Sequence, residues 1–192
     1  MPAEARRGQI LDVAHAIIDA EGFHAATPHR IADSAGVNRS LLYQQFGDLS
    51  GLFVALIDRE AERAAAQFAD AVSAGGDDNP ERNPVLRAFD SLLHAVDARP
   101  ATWRLFLFPP QGAPPALYER LGRSEAVVRE FFIQQLLRVN PELEDPEYTA
   151  RVLHASGREL LQLRLSDPED ASHERLRALV RRLNTELLQR IR

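Results

Sequence analysis

Apolar residues recur three or four positions apart along most of the chain, which is the spacing of amphipathic α-helices. The first stripe of this kind contains Ile10, Leu11, Ala14, Ile17 and Ile18. No run alternates β-branched and polar residues as a half-buried strand would. The pattern therefore predicts an all-α fold.

Start and stop signals divide the first quarter of the chain into short helices. Gly22 predicts the end of the first helix. Thr27 suits the N-cap of a second helix, which Gly36 ends. Asn38 caps a third helix that continues through Gln45. These signals predict a compact three-helix unit at the amino terminus.

Longer helices follow this unit. Asp48 predicts the cap of a fourth helix that runs to about Ser73, and the Gly- and Asp-rich stretch 74–80 predicts a loop. The spacing then predicts helices at about 83–98, 100–108, 115–139, 146–165 and 169–191. The whole pattern is that of a small three-helix unit joined to a larger helical bundle.

The second and third helices have the spacing of a helix-turn-helix. That motif needs a small residue where the helices cross, a residue that tolerates positive φ in the turn, and an apolar anchor on the second helix. Ala32, Gly36 and Leu42 meet these needs. An ordinary helical hairpin with a polar surface would show the same spacing, so spacing alone leaves both interpretations open.

The exposed side of the third helix carries side chains that suit DNA. Arg forks onto guanine, Asn and Gln pair with adenine, and hydroxyl groups bond phosphates. Free N–H groups at the start of the second helix also favour a phosphate. The candidate contacts from this reasoning are Thr27, His29, Asn38, Arg39, Ser40, Tyr43 and Gln44.

Composition narrows the function classes. Hydrophobic residues make up 45% of the 192 residues, which is enough for a sizeable core. The absence of cysteine excludes disulfides, thiolate zinc sites and cysteine nucleophiles. No apolar run approaches the roughly 20 residues of a membrane span, and the first residues do not lead into a signal peptide. We expect a soluble cytoplasmic protein without a membrane partner.

Charge weakens the expected attraction to DNA. All 23 basic residues are arginine, the net charge is -5, and residues 1–50 contain four arginines against six acidic residues. A protein needs only one positive face to bind DNA, so this balance does not exclude binding. It does predict that specific contacts must outweigh a poor long-range field.

An ordered set of residues in the first quarter resembles the amino-terminal signature of the TetR family. The matching positions are 10–14, 21–23, Thr27, 31–37, 42–46 and Leu52. The resemblance implies a homodimeric regulator, usually a repressor, with a divergent carboxy-terminal ligand-binding domain. It implies a helix-turn-helix DNA-binding domain at 1–48 and a ligand-binding and dimerisation domain at 49–192.

The resemblance carries over unevenly at single positions. Thr27 matches the second threonine of a pair whose first position is Ala26 here. Tyr43 matches a phosphate-contacting tyrosine, and Gln45 replaces a common histidine with an amide that still donates to phosphate. Leu49 replaces a frequent lysine, so one phosphate contact is lost.

Aromatic residues cluster on both sides of the Pro-rich stretch 109–115. An apolar cavity with a few polar groups is typical of a small-molecule site, although the same aromatic residues would also fill a core. Both interpretations stay open. The candidate lining residues are His94, Trp103, Phe106, Tyr118, Phe131, His154 and Arg158.

The last two predicted helices are candidates for a dimer interface. Gly157 lies inside helix 146–165, where it costs about 1 kcal/mol relative to alanine, and close approach of a second subunit would offset that cost. Packing within the chain is the alternative. The helix at 169–191 has an apolar stripe of Leu176, Leu179, Val180, Leu183, Leu187, Leu188 and Ile191. We expect a homodimer through these two helices.

Enzyme signatures are missing from the sequence. His154 and Ser156 are two positions apart and do not face each other on a helix, and no Gly-rich phosphate loop follows a strand. We predict no catalytic residue, no metal and no cofactor. The leading hypothesis is a repressor released from double-stranded DNA by an unknown small-molecule effector. The alternative is a helical protein–protein interaction module without sequence-specific DNA binding.

Overall fold

The computed structural model describes residues 2–73, 84–110 and 112–191, with side chains for all of these except 84, 184 and 186–191. Those ranges contain helices and no strand, which confirms the all-α prediction. A single 3-10 turn, Phe23–Ala25, follows the first helix. The helices are α1 (Ala3–Glu21), α2 (Pro28–Ala35), α3 (Arg39–Phe46), α4 (Leu49–Ser73), α5 (Pro84–Ala98), α6 (Pro100–Leu107), α7 (Pro115–Val139), α8 (Pro146–Ser166) and α9 (His173–Ile191). The loop predicted at 74–80 and the side chains of Leu187, Leu188 and Ile191 lie outside the described residues.

Side-chain caps start the three helices that follow α1. The oxygens of Thr27, Asn38 and Asp48 each accept a hydrogen bond from the backbone N–H three residues later, at 3.3, 2.7 and 2.7 Å respectively. Each cap satisfies a donor that has no partner inside its helix. The predicted caps are confirmed, and they fix where α2, α3 and α4 begin.

A left-handed glycine makes the turn between α2 and α3. Gly36 has φ 63° and ψ 37°. Its N–H donates to the carbonyl of Asp33 at 3.1 Å, and the N–H of Val37 donates to the carbonyl of Ala32 at 2.9 Å. This double closure is a Schellman motif, which glycine adopts without a Cβ penalty. It reverses the chain so that α3 can cross α2.

The start predicted for the last helix, at 169, is wrong, because α9 begins at His173. Asp167 folds the preceding residues into a turn: its carboxylate accepts the N–H of Asp170 at 3.1 Å and its carbonyl accepts the N–H of Ala171 at 2.9 Å. The hydroxyl of Ser172 then caps α9. A local side-chain bond therefore competes with the helix and delays it.

The chain divides into two compact units. The first contains Met1–Arg63 and Ala101–Gly122, and the second contains Ala64–Pro100 and Arg123–Arg192. Packing therefore groups α6 and the start of α7 with the amino-terminal helices. The functional boundary between residues 48 and 49 stays a prediction.

The first unit is built around the apolar stripe of α1. All five stripe residues of that helix are buried, as are Leu52, Leu56 and Ile57 of α4. The ring of Phe23 meets the ring of Phe53 edge-on, with centroids 5.0 Å apart. The helix-turn-helix and α6 complete this core with Ile31, Ala32, Ala35, Leu42, Phe46, Trp103, Leu105, Phe106 and Leu107.

In the second unit, α8 and α9 both pack against α5. Buried apolar side chains join the three helices, among them Leu93, Leu161 and Leu176. Ion pairs surround them: Asp97 accepts two hydrogen bonds from Arg164 of α8, each 2.8 Å long. The same carboxylate lies 2.8 Å from the ring of His173 on α9.

Candidate nucleic-acid interface

The polar face predicted for α3 is exposed in the first unit. Arg39, Ser40, Tyr43 and Gln44 are all exposed, and 45% of the surface of Tyr43 is open to solvent. The opposite side of the helix is buried through Leu42 and Phe46. The spacing of polar and apolar positions therefore gives α3 one outward chemical face.

Two other predicted residues, at the ends of α3, already form hydrogen bonds within the protein. Asn38 is exposed, but its side-chain oxygen already caps α3, so only its NH₂ group remains to donate. Gln45 is half-buried, and its carbonyl accepts a hydrogen bond from Arg7. Both residues lie at the ends of α3, whereas its middle turn is open.

The start of α2 lies among the same exposed residues. Thr27 and His29 are both exposed. The hydroxyl oxygen of Thr27 caps the helix and keeps its proton free to donate. The Nδ1 atom of His29 lies 3.1 Å from the carboxylate of Asp33. A phosphate at this helix end would compete with that carboxylate for the imidazole.

Three acidic residues of α1 are paired with arginines. The carboxylates of Asp12, Asp19 and Glu21 bind Arg59, Arg104 and Arg30 in that order. Hydrogen bonds from Arg104 and Arg30 hold the pKa values of Asp19 and Glu21 below their usual range.

This pairing changes the electrostatic picture drawn from the sequence. Arg59 and Arg104 come from α4 and α6, so a charge count over residues 1–50 leaves out the cations that pair with Asp12 and Asp19. Within the described ranges, Arg39 forms no hydrogen bond or ion pair and stays available at the start of α3.

The junction of α3 and α4 depends on a glycine that sequence analysis did not single out. A Cβ atom at Gly51 would overlap the carbonyl oxygen of Phe46 and would lie 3.3 Å from its carbonyl carbon. The backbones of the two helices therefore approach too closely for any side chain. The sequence signals this close approach only by placing a glycine in the first turn of α4, where alanine would favour the helix more.

A buried carboxylate joins α1, α4 and α6 behind the interface. Glu60 is fully buried and accepts a 2.6 Å hydrogen bond from the hydroxyl of Thr102 and a 2.7 Å bond from Arg63. The Nδ1 atom of His15 lies 3.6 Å from the same carboxylate. Burial alone raises the pKa of Glu60, but Thr102 and the charges of His15, Arg59 and Arg63 outweigh burial and lower it.

The sequence contains one signal for this cluster, which the apolar spacing alone does not reveal. Glu60 continues the four-residue spacing of Leu52 and Leu56, so an acidic residue stands in an inward position. Such a residue stays charged only if hydrogen bonds and opposite charges replace its water. The partner Thr102 is 42 positions away, which periodicity does not reveal.

Three of the predicted ligand-lining residues lie in the first unit. Trp103 and Phe106 are buried on α6, at 9% and 7% exposure. Tyr118 lies at the start of α7 with 53% of its surface exposed. The structure brings the first two into one apolar core and leaves the third in solvent.

The other four predicted lining residues lie in the second unit. His154 is half-buried on α8, and its pKa is lowered by burial and by Arg129 and Arg158, against the opposing effect of Glu125. Arg158 donates to Glu125 at 2.9 Å. The ring of Phe131 meets the ring of Phe68 edge-on at 5.8 Å.

His94 has a different environment from the other three. It is exposed on α5, where its ring meets that of His173 edge-on at 4.7 Å and its Nε2 atom lies 3.1 Å from a nitrogen of Arg177. Whether any of the seven residues lines a ligand cavity stays a prediction.

One side of α8 presents large apolar side chains to solvent. Tyr148 and Val152, one turn apart, are 69% and 65% exposed. Leu163 of the same helix and Leu183 of α9 are also exposed. Gly157 is half-buried and lies one turn from the buried Leu161, away from this stripe. A Cβ atom at Gly157 would meet nothing within 4 Å.

No helix in the described ranges combines the length and the apolar character needed to cross a membrane. Among the residues with described side chains, no three His, Asp or Glu groups converge as they would around a metal ion.

The residues that form this interface lie in the part of the chain that is similar to known proteins. Residues 10–56 match the sequence profile of the family described as bacterial regulatory proteins, tetR family. The chain is 32% identical over 89 residues to the HTH-type transcriptional activator FasR of Mycolicibacterium smegmatis, a match that covers 46% of this chain and 41% of the relative. It is 39% identical over 62 residues to the HTH-type transcriptional repressor Rv1474c of Mycobacterium tuberculosis, covering 32% of this chain and 33% of that protein. The chain thus spans less than half the length of either of these relatives.

The fold as a whole is similar to a solved structure. A TetR-like transcriptional regulator from Rhodococcus sp. RHA1 superposes with a TM-score of 0.75 at 25% sequence identity, covering 96% of this chain and 98% of that one. The similarity extends through both units, whereas the sequence profile covers only the helices around α2 and α3.

Proposed function

Because the chain belongs to the TetR family of bacterial regulatory proteins, we propose that it is a cytoplasmic transcriptional repressor that binds a double-stranded DNA operator as a homodimer. A small-molecule effector releases it from the operator. The observation that carries the proposal is the exposed polar face of α3, held over a capped and buried three-helix core.

The exposed side chains divide into two kinds of contact. Arg39 and Gln44 read base edges in the major groove, where guanidinium and amide groups find paired acceptors and donors. Tyr43 and Thr27 donate hydroxyl protons to phosphates and fix the position of the helix. The full proposed interface contains Thr27, His29, Asn38, Arg39, Ser40, Tyr43, Gln44 and Gln45.

Selection of bound sites from random DNA tests this division. The wild type should enrich one sequence motif. Tyr43→Phe should weaken binding to all sequences alike, because it removes only a phosphate donor. Arg39→Ala or Gln44→Ala should relax the motif at one position, at a cost of about 1–3 kcal/mol for the preferred base.

A variant far from α3 controls for lost charge. Arg151 is exposed on α8 and pairs with Glu147 one turn away, so Arg151→Ala should leave the motif unchanged. Binding without any sequence preference in the wild type would favour the alternative, a helical protein–protein interaction module.

The exposed stripe of α8 supports the homodimer. Both α8 and α9 pack on α5 with one side and expose large apolar side chains elsewhere. Burying Tyr148 and Val152 against a second subunit would contribute about 1.5–3 kcal/mol each. A symmetric dimer also supplies the two reading helices that a palindromic operator requires.

Sedimentation of charged variants tests the interface. The double variant Tyr148→Glu with Val152→Glu should sediment as a monomer. Val127→Glu is the matched control, because Val127 is 60% exposed on α7, a different helix. An unchanged dimer in the double variant would place the interface elsewhere.

The effector site is proposed from the apolar and polar residues identified in the sequence. We propose that, within the second unit, a small apolar molecule with a polar group contacts some of His94, Phe131, His154 and Arg158. A neutral imidazole, favoured by the lowered pKa of His154, suits a ligand hydroxyl or carbonyl group. Native mass spectrometry of protein from its own host should detect such a molecule.

The direction of regulation needs a separate experiment, because one similar protein is an activator and another a repressor. Transcription from the selected operator should fall when the protein is added and recover with the effector. A rise in transcription on adding the protein would assign it as an activator.

A further inference from the structure

The first turns of α1 bind the ends of both helices of the helix-turn-helix. A guanidinium N–H of Arg7 donates to the backbone carbonyl of Gln45 at 2.5 Å, near the end of α3. The central carbon of the same guanidinium lies 4.2 Å from the ring centroid of Phe46. Gln9 donates from its amide to the carbonyl of Ala35, the last residue of α2, at 3.2 Å.

These contacts match what the end of a helix needs. The last four carbonyls of a helix have no partner inside it and carry the negative end of its dipole. Arg7 supplies both a donor and a positive charge to α3, and the face of the Phe46 ring adds a cation–π contact. Gln9 supplies a neutral donor to α2. Two neighbouring side chains of α1 thus hold two helices by their ends.

A residue of α4 fixes the segment of α1 that carries these side chains. Arg59 donates to the backbone carbonyl of Gly8 at 3.3 Å and pairs with Asp12 at 2.8 Å. Gly8 lies between Arg7 and Gln9 in the chain. The backbone from which both side chains extend is therefore tied to α4.

The geometry argues against a direct contact between Arg7 and DNA. Its side chain is half-buried, one nitrogen bonds Gln45, and one face of its guanidinium covers Phe46. A phosphate contact would require the side chain to leave these partners. The neutral side chain of Gln9 has no charge to offer a phosphate.

We infer that Arg7 and Gln9 are positioning residues, which set the placement of α3 against the operator without touching DNA. The inference rests on the proposed DNA binding for its functional consequence. Without Arg7, α3 keeps its sequence and its cap but loses a hydrogen bond and a cation–π contact at its carboxy-terminal end.

The salt dependence of operator binding separates positioning from contact. Each cationic phosphate contact that is lost reduces the magnitude of the slope of log affinity against log salt by about one unit. Arg7→Met and Gln9→Met should each weaken operator binding, Arg7→Met by about tenfold, the cost of roughly one mispaired base. Neither should change the slope. Tyr43→Phe removes a neutral phosphate donor and should also weaken binding without changing the slope, so the slope is diagnostic for Arg7, whose loss removes a cation.

Amide hydrogen exchange provides a second measurement that does not depend on DNA. Arg7→Met should accelerate exchange in the last turn of α3, at residues 44–47, and leave exchange in α8 unchanged. Thermal unfolding of each variant shows whether the fold survives, and if Arg7→Met does not fold, Gln9→Met carries both measurements.

Two results would overturn the inference. A slope reduced by about one unit in Arg7→Met would make Arg7 a phosphate contact. Unchanged exchange in α3 together with unchanged operator affinity would show that the bonds position nothing. If the wild type binds no DNA, the proposed function fails, whereas the exchange experiment still decides whether Arg7 and Gln9 hold α3.

Discussion

The two units of the chain differ in where the apolar stripes of their helices lie. In the first, carboxylates bind arginines from other helices, and the apolar stripe of α1 is buried. In the second, Tyr148 and Val152 extend into solvent while exposed ion pairs surround the helix contacts. An exposed apolar stripe indicates a surface that another molecule covers.

Two glycines show the same contrast at single residues. Gly51 has no room for a Cβ atom because the carbonyl of Phe46 occupies the space, whereas Gly157 has open space around it. The first glycine is required by packing, and the second leaves packing within the chain untouched. Substitutions at the two positions should therefore have effects of opposite sign.

The largest effect is expected for Gly51→Ala. The added methyl group must push α4 away from the end of α3, which should destabilise the first unit by about 3 kcal/mol. Chemical denaturation measures the loss of unfolding free energy. Operator affinity should also fall, because α3 shifts with the junction.

Gly157→Ala is the matched control in the second unit. Replacing a helical glycine without a clash should stabilise the protein by about 0.5–1 kcal/mol. If both variants lost stability equally, the contrast between a tight and an open glycine would be wrong.

A smaller effect is expected for Thr102→Val. The substitution keeps the shape of the side chain but removes the 2.6 Å hydrogen bond to buried Glu60. Glu60 keeps its arginine partners, so the cost is that of one hydrogen bond to a charged group, about 1.5–3 kcal/mol. The loss should appear as a lower midpoint in urea with an unchanged slope. Thr149→Val removes only an exposed 2.8 Å hydrogen bond from the hydroxyl to the carbonyl of Asp145, at the start of α8, and should change the midpoint much less.

Acid should loosen the second unit before the first. Burial lowers the pKa of His154 below its usual 6.5, so the unfolded chain binds more protons than the folded one just below that pH. The stability contribution of His154 is complete above about pH 6.5 and is lost as the pH falls through its folded pKa. Glu60, whose pKa lies below the usual 4.5, loses its contribution only below about pH 4.5.

Hydrogen exchange at pH 7.5 and 5.5, corrected for the intrinsic rate, measures this difference. Peptides from α8 should lose protection at the lower pH, while peptides from α1 and from residues 49–63 of α4 keep it. His154→Gln should remove the loss in α8. Equal loss in both units, or a loss that survives in His154→Gln, would contradict the assignment.

The smallest effect is expected for Asp97→Asn. Asp97 is exposed although its partners Arg164 and His173 are half-buried, and ion pairs open to solvent contribute less than about 1 kcal/mol. The change in unfolding free energy should be well below that of Thr102→Val. A larger loss would mean that the ion pairs of the second unit hold α5, α8 and α9 together as strongly as the buried cluster holds the first.

The sequence predicted what local chemistry determines. Caps at Thr27, Asn38 and Asp48 and the turn at Gly36 act within four residues, and the structure confirms all of them. The predicted start of α9 was wrong because the turn at Asp167 competes with the helix over the same short range. Local rules therefore predict most helix ends, and fail where two of them act on the same residues.

Contacts between residues far apart in the chain could not be predicted from the sequence. Arg7 and Gln45 are 38 positions apart, and Asp19 and Arg104 are 85 apart. Nothing in the spacing of apolar residues pairs them. The polar face of α3 was predictable because a helix fixes the direction of its own side chains, whereas the bonds that hold this helix depend on tertiary packing.

The chain contains a single tryptophan, and its place on α6 gives the protein a natural optical reporter. Trp103 is 9% exposed and stands between Thr102, which bonds Glu60, and Arg104, which bonds Asp19. An indole in such surroundings emits at shorter wavelengths than one in water. Excitation at the red edge of the absorption band therefore follows the burial of α6 in the first unit alone, and titrations with DNA or candidate effectors need no added dye.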